Sequence, residues 1–524
     1  MRQRGFAALE TNSGMSRRQF LKTAAAGTTG LALGSGKLSG QSVEAREKNS
    51  GRPNILFITT DEHRYDALGA AGNKVIQTPN LDELAAGGVR FARTYCQGPL
   101  CQPSRASIMT GQYVHQHGQT WNWFDMKPEW PTMMKQLQKA GYFTAKIGKT
   151  HFYAGSPSGS RDLRKNQGFV RSFGLDYVLE EFDKQAHAIK GIVTPYTEYL
   201  KEKGLYQTYI KETPEHGTPK AKVEDNYLGK TSRLAQEHDL TSFIAHKSIE
   251  WLDGYQDQKP FFLWISFVAP HTPLIDDPIW AAFYKNKKIL PGPRQRPKIP
   301  DNAWGRYLGG WLKGIKTEKL TPELLLEAAR HYYGMVSLID QKIGDLVNAL
   351  ERQGREANTW IIFTSDHGEM LGDHGLMFKN VFYKGSVLVP NIIHPPGGAT
   401  PRVVNSPTQS IDLTATVIDL ARAEPPKDSR GRTLLPFLEG KGKPREAAFS
   451  EMAGHGNRGN FLVMAATDRY RYLYDSQNEI ACELFDLQED PDELNNLVDD
   501  PGSEKVRKNL HNNFLKPFMK GEIG

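Results

Sequence analysis

The 524-residue chain holds only three cysteines, Cys96, Cys101 and Cys482. Three cannot make a disulfide framework, and an odd number in an exported protein leaves one sulfur over, or one that is no longer a thiol. No stretch approaches the ~20 consecutive apolar residues that cross a bilayer, so no stable membrane span is expected and the mature chain should be soluble. No long basic stripe interleaved with aromatics occurs, and Lys plus Arg (66) barely exceed Asp plus Glu (59). Nucleic acid is therefore not an expected partner, although the mild excess helps attract small anions. Internal repeats and low-complexity tracts are absent as well. What remains is a globular composition, 39% apolar and 24% charged, in a chain too long for one small core.

Residues 1–50 read as an address rather than a fold. Ser16-Arg17-Arg18-Gln19-Phe20-Leu21-Lys22 is a twin-arginine pattern, followed by a weakly apolar run from Thr23 to Leu33. Such a leader engages the twin-arginine export machinery and implies a periplasmic or extracellular destination. Met15 directly precedes the pattern and offers an alternative start to Met1. Beyond the leader, 51–430 reads as the main domain, with irregular insertions near 152–235 and 272–320, and 431–524 as a smaller C-terminal subdomain.

The pattern from Pro53 onward alternates strand, loop and helix. Asn54 to Thr60 is a continuous apolar run of the kind buried on both faces of a parallel sheet. Pro79 to Gly88 reads as a helix with Thr78 as cap and Gly87-Gly88 as stop. Further helices are expected at 130–140, 238–255 and 323–353, each leading into a strand at 143–147, 260–268 and 359–364. This predicts an α/β fold with a large, mainly parallel sheet flanked by helices. The C-terminal region predicts short antiparallel strands at 461–466, 469–474 and 482–486, then a helix over 504–518.

In open parallel sheets, ligands bind beyond the carboxyl ends of the strands. Four such ends carry chemistry here: Asp61-Glu62-His63-Arg64, Gly148-Lys149-Thr150-His151, Pro270-His271-Thr272-Pro273 and Ser365-Asp366-His367-Gly368. Asp61, Glu62, Asp366 and His367 make an oxygen-rich cation site with one nitrogen, suited to Ca²⁺, Mg²⁺ or Mn²⁺ rather than Zn²⁺ or copper. Lys149, His151, His271, Arg105 and Lys379 supply cationic groups around it. A cation plus convergent basic side chains suits a tetrahedral oxyanion ester, sulfate or phosphate.

Cys101-Gln102-Pro103-Ser104-Arg105, followed by Thr110-Gly111, fixes six positions over eleven residues. Pro103 fits a first helical turn, Ser104 offers a hydroxyl to free N–H groups, and Cys101 would sit at the positive helix end. The segment resembles the signature of type I sulfatases, members of the alkaline phosphatase-like superfamily, in which the cysteine is oxidised to formylglycine. The resemblance extends through Thr78-Pro79-Asn80-Leu81-Asp82, Gly148-Lys149-Thr150-His151, Ser365-Asp366-His367-Gly368, Lys379 to Pro390 and Cys482 to Leu487. Glu62 stands where many members have a second aspartate, His367 where some have Asn, and Lys384 where an acid is commoner.

The resemblance implies a sulfuric ester hydrolase using formylglycine derived from Cys101, itself a metal ligand, and a divalent metal, preferably Ca²⁺. It also implies a formylglycine-generating maturation enzyme as a partner. Arg105 and Lys149 would stabilise the nucleophile and sulfate, His271 and Lys379 the leaving oxygen, and His151 would take the proton that releases sulfate. The substrate would be a small-molecule or oligosaccharide sulfate ester. Trp121, Trp123, Phe124, Trp280, Trp304 and Trp311 offer faces for a carbohydrate ring. A phosphonate monoester or phosphodiester hydrolase of the same superfamily is the nearest alternative. A catalytically dead sulfated-glycan-binding protein would require loss of Cys101 or the metal acids, and these are present.

Overall fold

The apolar run at 54–60 forms a central strand because both its faces are covered: Ile55 and Phe57 enter one core cluster, Leu56 and Ile58 the other. The computed structural model describes residues 51–524 apart from 185–186, 188–189, 214–228, 290–291, 294, 296–298, 315, 317–318 and 454–460. The twin-arginine leader thus lies outside the described residues. Arg52–Gly524 is one compact unit.

In chain order the elements that frame the site are β1 (Asn54–Thr60), α1 (Pro79–Ala86), β2 (Val89–Phe91), α2 (Cys101–Thr110), α3 (Met133–Lys139), β3 (Phe143–Lys149) and β4 (Tyr177–Glu181). They continue with α4 (Leu240–Gly254), β5 (Phe261–Ser266), α5 (Pro322–Arg352), β6 (Thr359–Ser365), β7 (Asn391–His394), β8 (Arg402–Val404) and α6 (Ser410–Leu420). Eight strands form one sheet in the order β8-β2-β7-β6-β1-β5-β3-β4. The five from β6 to β4 run parallel, and β7 is antiparallel to both its neighbours. The expected mainly parallel α/β sheet is what forms.

Helices α4 and α5 cover one face through residues such as Ile244, Leu252, Val336 and Leu346. Helices α2, α3 and α6 cover the other through Ile108, Leu137, Leu413 and Val417. Each such fully buried aliphatic side chain contributes about 1.5–3 kcal/mol of transfer free energy. Helix α2 is buried along its whole length, its residues from Cys101 to Thr110 all being inaccessible. That burial fixes the first residue of the helix against the carboxyl ends of β1 and β6.

Local expectations needed several corrections. Thr78 precedes α1, but its hydroxyl accepts from Gly69 N and donates to Asp82; the free N–H groups of Asn80 and Leu81 are taken by Asp340 of α5. The stretch 152–235, read as irregular, contains β4 on the sheet edge and helices at Pro195–Glu202 and Tyr206–Glu212. The stretch 272–320 contains helices at Pro278–Tyr284 and Ala303–Gly314.

The C-terminal sheet has four strands rather than three: β9 (Ala448–Ala453), β10 (Phe461–Ala466), β11 (Tyr470–Asp475) and β12 (Ile480–Asp486), paired antiparallel in that order. Strand β9 escaped notice because buried Ser450 and Glu451 interrupt its apolar pattern. The final helical stretch runs from Glu504 to Met519 through a π-helical turn at His511–Leu515. Cys96, Cys101 and Cys482 are all free and buried.

Candidate active site

Asp61 follows β1, Asp366 and His367 follow β6, Lys149 ends β3, and His271 lies on the loop after β5. The parallel arrangement brings these ends to one edge, where α2 begins with Cys101. The helix start is not capped by Ser104, whose hydroxyl instead donates to the Asp366 carbonyl oxygen. Asn122 takes over that duty, its Oδ1 accepting from Gln102 N at 2.9 Å. The residue before the helix, Leu100, is extended and makes no side-chain cap.

The ligand atoms of Asp61, Cys101, Asp366 and His367 lie within 4.8 Å of one another, all buried. Cys101 Sγ is 3.2 Å from His367 Nε2 and 3.8 Å from Asp61 Oδ1. His367 Nδ1 lies 3.0 Å from the Gly368 carbonyl oxygen, which assigns the proton to Nδ1 and turns the lone pair of Nε2 into the cluster. Glu62 adjoins it: Oε2 is buried without a hydrogen-bond partner among the described residues, and the backbone holds a left-handed φ of 66°. An orphaned carboxylate oxygen in a strained residue beside four convergent ligand atoms fits a hard divalent cation. Asp61, Glu62 and His271 form a second group of the same compactness.

Arg105, 1% exposed, is the organiser of this centre. Its Nε donates to Asp366 Oδ2 and its Nη2 to Asp61 Oδ2, both at 2.9 Å, while Nη1 reaches Ser266 Oγ and Lys149 O. Lys149 Nζ lies 2.7 Å from the same Asp61 Oδ2. Burial pushes the Asp61 carboxyl up, but Lys149, His271, Arg105 and His367 outweigh it and hold the group well below its usual range. Burial and the Asp61 charge push Asp366 the other way.

Around Cys101 stand the remaining expected residues. His271 Nε2 is 3.1 Å from Lys379 Nζ and 3.4 Å from Glu62 Oε1, and Lys379 also contacts Glu62. Burial pulls Lys379 down to about 8, whereas burial and Lys149 are overcome at His271 by Asp183, Asp61 and a hydrogen bond that it donates to Cys101, which push it up to about 9. Burial and Lys149 take His151 down to about 3, so it is a neutral imidazole at neutral pH. His151 also has a left-handed φ of 56° and a buried Nδ1 with no hydrogen-bond partner among the described residues. Burial raises the Cys101 thiol to about 11, far from the depressed range of a thiolate nucleophile.

One residue of this centre went unrecognised in the sequence. Asp183, just beyond β4, pairs with Lys149 Nζ opposite Asp61. Its strand ends in two buried glutamates, Glu180 and Glu181, which hid the apolar run that would have announced a strand end. With two carboxylates gripping it, the Lys149 ammonium is held charged despite burial. Asp183→Asn is expected to lower kcat/KM about 10- to 100-fold, the loss of one charge-assisted hydrogen bond; steady-state kinetics checks it. Lys384, by contrast, lies outside the site and pairs with Asp492 at 2.5 Å and with the Pro491 carbonyl.

Residues 53–423 match the Sulfatase family model. The chain belongs to the sulfatase family. It is a sulfuric ester hydrolase, and residues 372–519 also match the model for the C-terminal part of N-sulphoglucosamine sulphohydrolase. The arylsulfatase of Clostridium perfringens is 30% identical over 490 residues, 90% of this chain and 94% of that protein. The N-acetylglucosamine-6-O-sulfatase of Bacteroides thetaiotaomicron is 28% identical, covering 89% of this chain and 86% of that one. A phosphonate monoester hydrolase of Agrobacterium radiobacter superposes with a TM-score of 0.73 at 26% identity, over 90% of this chain and 96% of that one. Residues 14–34 of this sulfatase match the twin-arginine translocation signal model, so it carries an export signal. No helix among its described residues is long and apolar enough to cross a membrane.

Proposed function

We propose that this sulfatase hydrolyses a carbohydrate sulfate ester with formylglycine derived from Cys101 and a divalent cation, Ca²⁺ in the first instance. The observation that carries the reading is the place of Cys101. It opens a fully buried helix, carries the Cys-x-Pro-Ser-Arg pattern, and faces Asp61, Asp366 and His367. A thiol of raised pKa is a poor nucleophile there. A hydrated aldehyde supplies one hydroxyl to attack sulfur and a second whose deprotonation lets sulfate leave.

Asp61, Asp366 and His367 would hold the cation, with Glu62 beside them, and the ion would supply charge neutralisation and polarisation of a sulfate oxygen. Arg105 keeps the two aspartates apart and oriented. Lys149, between Asp61 and Asp183, places a positive charge next to residue 101 for the nucleophile and the sulfate oxygens. His271 and Lys379, 3.1 Å apart, would stand beside the leaving oxygen, where either can donate a proton. His151, neutral at working pH, accepts the proton of the second hydroxyl. The reading calls for a maturation enzyme acting before export, which the twin-arginine route, carrying folded chains, allows.

Chelation with EDTA is expected to abolish sulfate release and lower the unfolding midpoint, since a cation at about 100 times its Kd stabilises by ~2.7 kcal/mol. Readdition of Ca²⁺, Mg²⁺ or Mn²⁺, one at a time, identifies the metal. Activity that survives chelation would refute a catalytic cation. The fold match to a phosphonate monoester hydrolase supports a second reading, and a side-by-side assay of a sulfate ester and a phosphonate ester decides between them.

A further inference from the structure

Of the six aromatic residues offered by the sequence for a carbohydrate ring, Trp304 is consumed by the core, its Nε1 donating to Glu483 Oε1. Trp280 packs against Phe283 and Tyr284, its Nε1 donating to Gln341 Oε1 of α5. Trp121, Trp123 and Phe124 behave differently. Trp123 is 67% exposed and Phe124 38% exposed, two adjacent large aromatics on one loop, and contiguous exposed apolar surface marks a binding site. Trp121 and Trp123 meet edge to face, with ring centroids 5.6 Å apart.

The loop that carries them is tied to the catalytic centre at both ends. Asn122 accepts from Gln102 N, next to the nucleophile position, and Gln119 Nε2 lies 3.0 Å from Gln102 Oε1. At the far end Met126 N donates to Phe152 O and Asp125 Oδ1 accepts from Ala154 N, both at 2.9 Å, so this end is sewn to the segment that follows His151. The same Gln119 amide, itself buried, clamps the loop from within by reaching Trp121 O at 2.8 Å and Phe124 O at 3.0 Å. The loop that bears the exposed rings is therefore anchored beside Cys101 at one end and beside His151 at the other.

We infer that Trp123 and Phe124 form the subsite for the leaving alcohol, and that its occupant is a pyranose ring stacked by its C–H face. A sugar ring has one apolar face and a rim of hydroxyls, which suits aromatic faces edged by carboxylates. Asp125 is exposed on the same loop, and Asp183 is partly exposed beside Lys149. Both accept hydroxyl donors, and neither would welcome a second anionic group near the sulfate. The inference rests on the sulfatase reading and narrows it to an alcohol carried on an uncharged sugar face.

The test uses the full-length, matured protein with N-acetylglucosamine 6-sulfate and 4-nitrophenyl sulfate as probes. Trp123→Ala and Phe124→Ala are each expected to raise KM for the sugar sulfate about tenfold, the upper range for one aromatic face. The inhibition constant of inorganic sulfate, which occupies only the nucleophile end, should stay within about twofold by the same arithmetic. Trp123→Phe, which keeps a flat ring, should restore most of the lost affinity. An unchanged KM in both alanine variants overturns the subsite. Sulfate release from the nitrophenyl ester with none from the sugar sulfate leaves the hydrolase standing and also overturns it. No release from either ester, in protein whose position 101 is confirmed as an aldehyde, overturns the sulfatase reading itself. Dissociation of a wild-type oligomer in Trp123→Ala, with KM unchanged, would instead make the patch a contact between copies.

Discussion

Replacing Cys101 with alanine is expected to lower kcat by on the order of 10⁵-fold or more, the size reached when a hydrolase loses its nucleophile. The fold should survive, because the change removes one sulfur from a fully packed position and costs about 1 kcal/mol, the common size of a point substitution. Cys101→Ser separates the chemistry further. A serine hydroxyl can attack sulfur once, but it has no second hydroxyl whose deprotonation would release the ester. Mass spectrometry of the tryptic peptide spanning 94–105 should therefore show a stoichiometric sulfate adduct in the serine variant. In the native protein the same peptide should carry CHO in place of CH₂SH at position 101. An unmodified thiol in fully active protein would end the proposal, whatever the substrate. The raised thiol pKa points the same way, since burial and the Asp61 charge leave position 101 poorly suited to a thiolate.

The parts of this centre that the sequence exposes are those with local causes. Strands β1, β5 and β6 read as apolar runs because both faces are covered, and the polar residue after each run then marks a strand end. That logic places Asp61, His271 and Asp366 at one edge from the residue pattern alone. It failed for Asp183, whose strand closes on Glu180 and Glu181, both buried. Burial pushes those two carboxyls up to about 7 and about 8, which favours their neutral forms inside the fold, a state no residue pattern announces. The left-handed φ values of Glu62 and His151 were equally invisible, since few non-glycine residues adopt them and no residue pattern announces them. Positions 371–380 show the same imposed strain, with Phe378 and Asn380 both at φ 70° on either side of Lys379. Non-glycine residues held this way on three loops that meet at one point mark a site whose geometry is set by the whole fold.

Arg105 shows most clearly what depends on the assembled structure. A motif match names it, but only its four acceptors show what it does: it holds the two buried carboxylates at the ends of β1 and β6 together with Ser266 and the Lys149 carbonyl. Arg105→Ala is expected to cost about 3–5 kcal/mol of unfolding free energy, because it leaves Asp61 and Asp366 facing each other with their shared cation removed. Arg105→Lys should recover only part of this, since an ammonium cannot bridge two carboxylates from a planar fork. The penalty should be larger in EDTA than in saturating metal, because a bound dication neutralises the same pair. It should also shrink as pH falls from about 7 to about 5. Burial and the Asp61 charge already push the Asp366 carboxyl up, and removing the guanidinium pushes it further, so the variant binds a proton that stabilises its folded state over its unfolded one. Urea unfolding of wild type and both variants, with and without chelator at the two pH values, measures all of these differences. An Arg105→Ala protein as stable as wild type in EDTA at neutral pH would mean that Lys149 alone can hold the two aspartates. The charge balance that prepares this centre for a dication and an anionic ester would then rest on a single lysine.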